Sequence, residues 1–320
     1  MRRTKDERRI VCVGGGTGLS TLLRGLKLYA ADITAIVTVA DNGGSSGQLR
    51  REMGILPPGD IRNCVLALAE IEPLMEKVYQ YRFSEGSLKG QNLGNLIIAA
   101  LTDISGGSFE KAVEQLSDIL AVKGKVLPVT DEKIELMATY SDGTRIFGEE
   151  EIVYQNKVSR KKIQTIEMLP KPPLANRKAV RALEDAELIV LGPGSLYTSI
   201  IPNLLVKGIP EAIRESKAKV IYIGNLMTQP GETDFFALSD HVGAIERILG
   251  KNVIDVIAID GNSQLPENLS FYEADDSYPV RNDLQDSTEY KVVSGNLCVA
   301  DGDYIRHDPK NLAKFILGIT

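Results

Sequence analysis

The strongest constraint on the fold is a glycine loop set between an apolar strand and an apolar helix stripe. Residues 10–18 read Ile-Val-Cys-Val-Gly-Gly-Gly-Thr-Gly, so the run ends in Gly14, Gly15, Gly16, Thr17 and Gly18. Leu19, Leu22, Leu23 and Leu26 follow at helical spacing. With a second strand pattern at 33–39 this is a βαβ unit, and a parallel pair of that kind belongs to a doubly wound sheet. Backbone N–H groups unshielded by a Cβ at a helix N-terminus suit phosphate or another anion. The spacing is not the dinucleotide G-x-G-x-x-G, because Leu19 takes the third glycine's place, and no Gly-Lys-Ser/Thr follows to make a P-loop. The loop therefore reads as a phosphate cradle without naming a cofactor; the plainer alternative is a tight strand–helix turn.

The same rhythm recurs. Strand Ile36–Ala40 leads into Asp41-Asn42-Gly43-Gly44-Ser45-Ser46-Gly47, Glu187–Leu191 into Gly192-Pro193-Gly194-Ser195, Lys219–Ile223 into Gly224-Asn225, and Val253–Ile259 into Asp260-Gly261-Asn262. Ligands in open α/β sheets bind beyond the carboxyl ends of the strands, so these loops are expected to meet at one crevice. The fold class is α/β: a Rossmann-like, three-layer, doubly wound, mostly parallel sheet in a single domain over residues 1–320. Residues 1–8 read as a frayed basic terminus and Asp60 to about Ala121 as mostly helical. A small β insertion is expected around 124–169, from Val126–Val129, Ile134–Tyr140, Thr144–Phe147, Glu151–Tyr154 and Ile163–Leu169, with Ser141-Asp142-Gly143 as a hairpin turn. Ala175–Glu184 and Pro309–Leu317 read as helices and Asn296–Ala300 as a strand, while the polar, Pro-punctuated 261–290 reads as a loop excursion over a sheet edge.

Charge and cysteines narrow the function classes. A formal net charge of −6 argues against general nucleic-acid binding. Cys12, Cys64 and Cys298 are widely spaced, without Cys-x-x-Cys, and read as buried reduced thiols in a cytoplasmic protein. No signal peptide and no apolar run long enough to span a membrane is visible. Only His241 and His307 occur, neither beside a Ser or Cys elbow, so nucleophilic catalysis and zinc have little to build on.

The polar loops supply the candidate ligand contacts. Asp41 ends the second strand, where acids hold ribose hydroxyls in doubly wound folds; it suits that role or a Mg²⁺. Ser45 and Ser46 are placed to reach phosphate or a sugar. Asp60 either caps the following helix or serves, with Asp41, as a carboxylate for acid–base or metal chemistry. Arg62, in the first turn of that helix, opposes the helix dipole unless it faces an anion or pairs with Asp41 or Asp60. Asn92 and Asn95 either cap a helix or read a base or sugar. Gly192-Pro193-Gly194-Ser195, followed by Tyr197, Thr198 and Ser199, forms the second anion site. The run Asn225 to Thr233 holds amides and hydroxyls suited to neutral polar groups such as sugar hydroxyls.

Taken together, Gly14–Gly18, Asp41–Gly47, Pro57–Asn63, Gln91–Asn95, Gly192–Ser199, Asn225–Thr233 and Arg306-His307-Asp308 resemble the CofD/YvcK superfamily, specifically the YvcK branch. The CofD branch implies Mg²⁺-dependent transfer of a phospholactyl-like group from a nucleoside diphospho donor. The YvcK branch implies a gluconeogenesis factor: a cytoplasmic regulator binding UDP-sugars such as UDP-N-acetylglucosamine, needed for cell shape and cell-wall precursor supply on gluconeogenic carbon sources. The resemblance implies nucleotide contacts at Gly14, Gly15, Gly16 and Thr17, at Asp41, Asn42, Gly43, Ser45 and Ser46, and at Gly192 to Ser195, with Asn225, Thr228, Tyr272 and Arg306 on the ligand side. By its chemistry Arg306 binds a diphosphate or is an ordinary surface arginine; Tyr272 stacks on a base or covers the sheet edge. One departure favours the YvcK branch: paired acids are expected of the transferases at the second strand end, and here the pair is Asp41-Asn42. The expected ligand is a UDP-sugar or another diphosphate nucleotide, NAD included, with no required cofactor and Mg²⁺ as an accessory. A regulatory protein partner in amino-sugar or cell-wall metabolism is expected, and self-association is left open.

Overall fold

The computed structural model describes residues 5–71, 73–261, 272, 274–302 and 304–319. Strand β1 (Asp6–Gly14) passes through the first glycine loop into α1 (Gly16–Tyr29) and returns as β2 (Ala30–Val37). Helices α2 (Gly44–Met53), α3 (Gly59–Leu68), α4 (Pro73–Gln80), α5 (Leu93–Ile104) and α6 (Phe109–Ile119) lead to β3 (Lys125–Pro128). Then come β4 (Glu135–Tyr140), β5 (Arg145–Phe147), α7 (Glu149–Ser159), β6 (Ile163–Leu169), α8 (Arg177–Glu184) and β7 (Leu188–Leu191). A π-helical turn (Leu196–Ile200) runs into α9 (Ile201–Leu204), followed by α10 (Ile209–Glu215), β8 (Lys219–Ile223), α11 (Leu238–Leu249) and β9 (Val256–Asp260). The last elements are β10 (Val292–Gly295), β11 (Cys298–Asp301), β12 (Tyr304–His307) and α12 (Pro309–Gly318).

Among the described residues seven strands pair in parallel, in the order β10-β9-β8-β7-β1-β2-β3. β1 is an inner strand, with Ile10 opposite Ile33 of β2 on one side and Leu188 of β7 on the other. Helices cover the sheet, α1 against α3 and α12, α10 against α8 and α11. A parallel strand covered on both faces is apolar throughout, and Ile10–Val13 and Leu188–Leu191 are buried along their length. The stripe Leu19, Leu22, Leu23 and Leu26 is fully buried, each side chain contributing about 1.5–3 kcal/mol by leaving water. Gly25 admits the close crossing of α1 and α12: a Cβ there would lie 1.7 Å from the Pro309 carbonyl oxygen.

Several expectations need correction. The segment from Asp6 is not frayed, because β1 begins there and Arg8 pairs with Asp6 and donates to the Leu317 carbonyl. The β insertion starts later than 124, since β3 joins the main sheet as its edge; the separate antiparallel sheet is β5-β4-β6. Within it, Glu151–Tyr154 is helical, not a strand. Glu149, Glu150 and Glu151 fall in the first turn of α7, where acids favour the helix dipole, and Ile152 and Asn156 share its buried face. The strand after residue 296 pairs with β12, which the sequence pattern did not separate. Part of the expected 261–290 excursion lies on the loop after β8, where Pro279 bridges Met227 and Arg281 bridges Ala237, and it continues along α11, where Asp283 accepts from Ser239 and Tyr290 donates to Glu246. Asn262 and the rest of 262–271 lie outside the described residues.

Candidate functional site

The strand order creates the site. The chain turns one way after β1, toward β2, and the other way after β7, toward β8, so their two exit loops face each other across a switch point. The loops touch backbone to backbone: a Cβ on Gly18 would lie 2.5 Å from the Pro193 carbonyl oxygen. Gly16, at φ +64°, sits in the left-handed region that favours glycine, and no side chain caps α1. The first amides of α1 thus border a cavity of about 680 Å³ with Gly194 and Ser195 opposite.

The loop after β8 clamps the second glycine loop. Asn225 donates to the Gly194 carbonyl at 2.9 Å, and Gln229 Nε2 donates to Ser195 Oγ at 2.7 Å. Glu232 accepts from the Tyr197 amide at 3.1 Å and from the Thr198 hydroxyl at 2.9 Å. A buried carboxylate of the chain itself is thus bonded to the turn where the sequence led us to expect an anion.

The remaining loops divide into cavity wall and support. Asp41 and Asp60 line the cavity. Asp60 does not cap α3, whose cap position is Pro58; it lies against the first loop, where a Cβ on Gly15 would come within 2.6 Å of its Oδ2. Arg62 pairs with neither acid. It donates to Asn95 and Asn63, and burial lowers its guanidinium pKa to about 10. Ser45 donates to Gln91 and accepts from the Asn92 amide and the Asn95 side chain; Ser46 accepts from the Gly59 amide. Asn92 caps α5 by accepting from the Asn95 amide. Asn42 accepts from the Glu150 amide and donates to Glu151, fastening α7 to the second loop.

Of the candidate residues the cavity gathers Gly15, Gly16 and Thr17, Asp41, Pro193, Gly194 and Ser195, Asn225 and Thr228, and Tyr272 and Arg306. Gly14, Asn42, Gly43, Ser45, Ser46, Arg62, Asn95 and Gly192 do not line it. Arg306 lies on β12, beside the Tyr304 ring at 5.4 Å, and Tyr272 is bonded through its hydroxyl to Ile305 of the same strand. Sequence reasoning passed over Glu149, Val153 and Lys157, which line the cavity at i, i+4 and i+8 of α7. Their shared face follows from the spacing once the segment is known to be a helix. Glu232 and His307 also line the cavity, from the polar runs Asn225 to Thr233 and Arg306-His307-Asp308.

The carboxyl groups depart from ordinary behaviour. Burial first, then the neighbouring acid Asp41, pushes Asp60 up to about 7 and Glu149 up to about 8. Burial raises Glu232 to about 7 and lowers His307 to about 4, so the imidazole is neutral. Cys12, Cys64 and Cys298 are free, buried thiols, with burial pushing Cys12 to about 12. Among the described residues no group of three or more His, Cys, Asp or Glu could hold a metal ion, and no helix is long and apolar enough to cross a membrane.

Comparison with known proteins matches residues 10–298 to the family described as 2-phospho-L-lactate transferase CofD. A relative from Thermoanaerobacterium thermosulfurigenes, carrying the gluconeogenesis-factor name, is 48% identical over 314 residues, covering 97% of this chain and 96% of its own. The gluconeogenesis factor of Bacillus subtilis is 43% identical over 315 residues, covering 97% and 98%. The crystal structure of protein BH3568 from Bacillus halodurans superposes with a TM-score of 0.93 at 43% identity, over 98% of this chain and 100% of that one.

Proposed function

Because this chain belongs to the CofD family, within its gluconeogenesis-factor branch, we propose that it is a cytoplasmic regulator that senses a nucleotide sugar of the UDP-N-acetylglucosamine kind. The observation that carries this reading is the contact of the β1 and β7 glycine loops at the switch point, bordering one large polar cavity. The diphosphate rests on the amides after Gly16, on the Ser195 hydroxyl and on Arg306. The sugar hydroxyls face Asn225, Thr228 and the acid-rich wall. Occupancy then favours the state with higher affinity for a protein partner in amino-sugar or cell-wall metabolism, by the ligand's differential affinity for the two states. In the cell this role supports shape and wall-precursor supply on gluconeogenic carbon sources.

A second reading, transfer of a phospholactyl-like group, draws on the CofD match and on the two acids Asp41 and Asp60 in the cavity. Two carboxylates fit a Mg²⁺ completed by ligand phosphates and water, not a cage built from protein alone. Such an ion would supply charge neutralisation at the phosphates. Calorimetry and thermal melting with UDP-N-acetylglucosamine, UDP and NAD test the first reading. Saturating a site at about 100 times its Kd adds about 2.7 kcal/mol to folding stability, a readily measured shift. No heat and no shift with any UDP compound rejects it; Mg²⁺-dependent turnover of a nucleoside diphospho donor, lost in Asp41→Asn, replaces it with the second.

A further inference from the structure

A diphosphate entering this cavity meets more acids than bases. Asp41, Asp60, Glu149, Glu232 and Asp275 line it, and among the described residues the lysine and arginine that do so are Lys157 and Arg306. Lys157 comes from α7, on the antiparallel insertion rather than on the main sheet. Its main chain is held in place: Asn156 donates to the Gly231 carbonyl at 2.8 Å, and a Cβ on Gly231 would lie 3.1 Å from the Lys157 amide nitrogen. Its ammonium is held loosely, 3.7 Å from Asp275 Oδ2, with both side chains half-exposed. A lysine is a point charge on a flexible stem, and a long, exposed ion pair restrains it little.

We propose, resting on the nucleotide reading above, that Lys157 is a direct contact for the ligand's phosphates and reaches them by leaving Asp275. Asp275 is then a competitor for the ligand and not a support of the site. The two members of one ion pair therefore act in opposite directions on affinity, a result that a merely structural bridge does not give. The neighbouring pair Arg160–Asp276 joins the same segments, but neither residue lines the cavity, so it serves as the control for charge removal.

The experiment titrates the full chain with UDP-N-acetylglucosamine and, separately, with inorganic pyrophosphate. Lys157→Ala is expected to weaken binding about tenfold, as loss of a charge-assisted phosphate contact, and Asp275→Asn to tighten it about two- to fivefold. Asp276→Asn is expected to leave affinity unchanged, and all three variants to melt close to the wild-type chain, since exposed ion pairs add little to stability. Wild-type binding of UDP-N-acetylglucosamine with Lys157→Ala and Asp275→Asn both flat, or both weakened, overturns the inference and leaves the nucleotide reading standing. Opposite responses to pyrophosphate without binding of any UDP compound sustain the role of Lys157 and remove the nucleotide reading. Absence of binding to either probe overturns both.

Discussion

At the scale of single residues, small distances set what the site tolerates. Gly18 faces the Pro193 carbonyl so closely that a Cβ would sit 2.5 Å from its oxygen, and neither partner is a flexible side-chain end. Gly18→Ala is therefore expected to part the two glycine loops, costing about 1–3 kcal/mol of stability by overpacking and more than tenfold in nucleotide affinity. Melting and calorimetry on one preparation check both effects. Glu232 makes a prediction in pH. Burial raises its folded-state pKa to about 7, above the 4.5 of an exposed glutamate. A group whose pKa is raised on folding contributes stability that is complete below the unfolded value and is lost as pH rises through the folded one. Relative to Glu232→Gln, which stays neutral, the wild-type chain should lose up to about 3 kcal/mol between pH 5 and pH 8, the free-energy equivalent of that displacement. Denaturant titrations of both proteins across that range measure the difference, and parallel curves would show that Glu232 titrates normally.

At the scale of elements, α7 is the piece that joins the insertion to the cavity. One end is fastened by Asn42 to Glu150 and Glu151 and the middle by Asn156 to Gly231, while the ion pairs to Asp275 and Asp276 at the far end are exposed and restrain it little. Its inward face carries Glu149, Val153 and Lys157. Asn42 is thus a fastener for a cavity wall, although it does not line the cavity. Asn42→Ala removes two hydrogen bonds of about 1 kcal/mol each and loosens α7 locally. Limited proteolysis should cut within 149–160 faster in this variant, nucleotide affinity should fall several-fold, and the global melting point should move by little. An unchanged cleavage rate would place the restraint on α7 elsewhere.

At the scale of the whole molecule, what was legible in the sequence divides along a physical line. The strand–glycine–helix unit, the strand Lys219–Ile223 and the buried leucine stripe of α1 were readable because each is set by local periodicity, and the fold class followed from their repetition; the family resemblance rested instead on the residues of the polar loops. The helix at Glu149–Ser159 was not readable as such: Ile152 and Val153 look strand-like in isolation, while the acid-rich first turn and the burial of Ile152 and Asn156 on one face decide for a helix. The division of the polar residues into lining and support was equally hidden. Ser45 and Ser195 sit in similar loops, yet Ser45 is consumed by Gln91, Asn92 and Asn95 while Ser195, bonded to Gln229, lines the cavity. Local residue order accounts for the secondary elements, for the glycines that let backbone approach backbone and for the polar character of the strand ends. The pairing of β7 with β1, the bonding of Glu232 to the turn after Ser195 and the place of Lys157 at the cavity depend on the tertiary structure. Each of those facts is a contact between segments far apart in the chain, and no local pattern encodes which distant segment will be the partner.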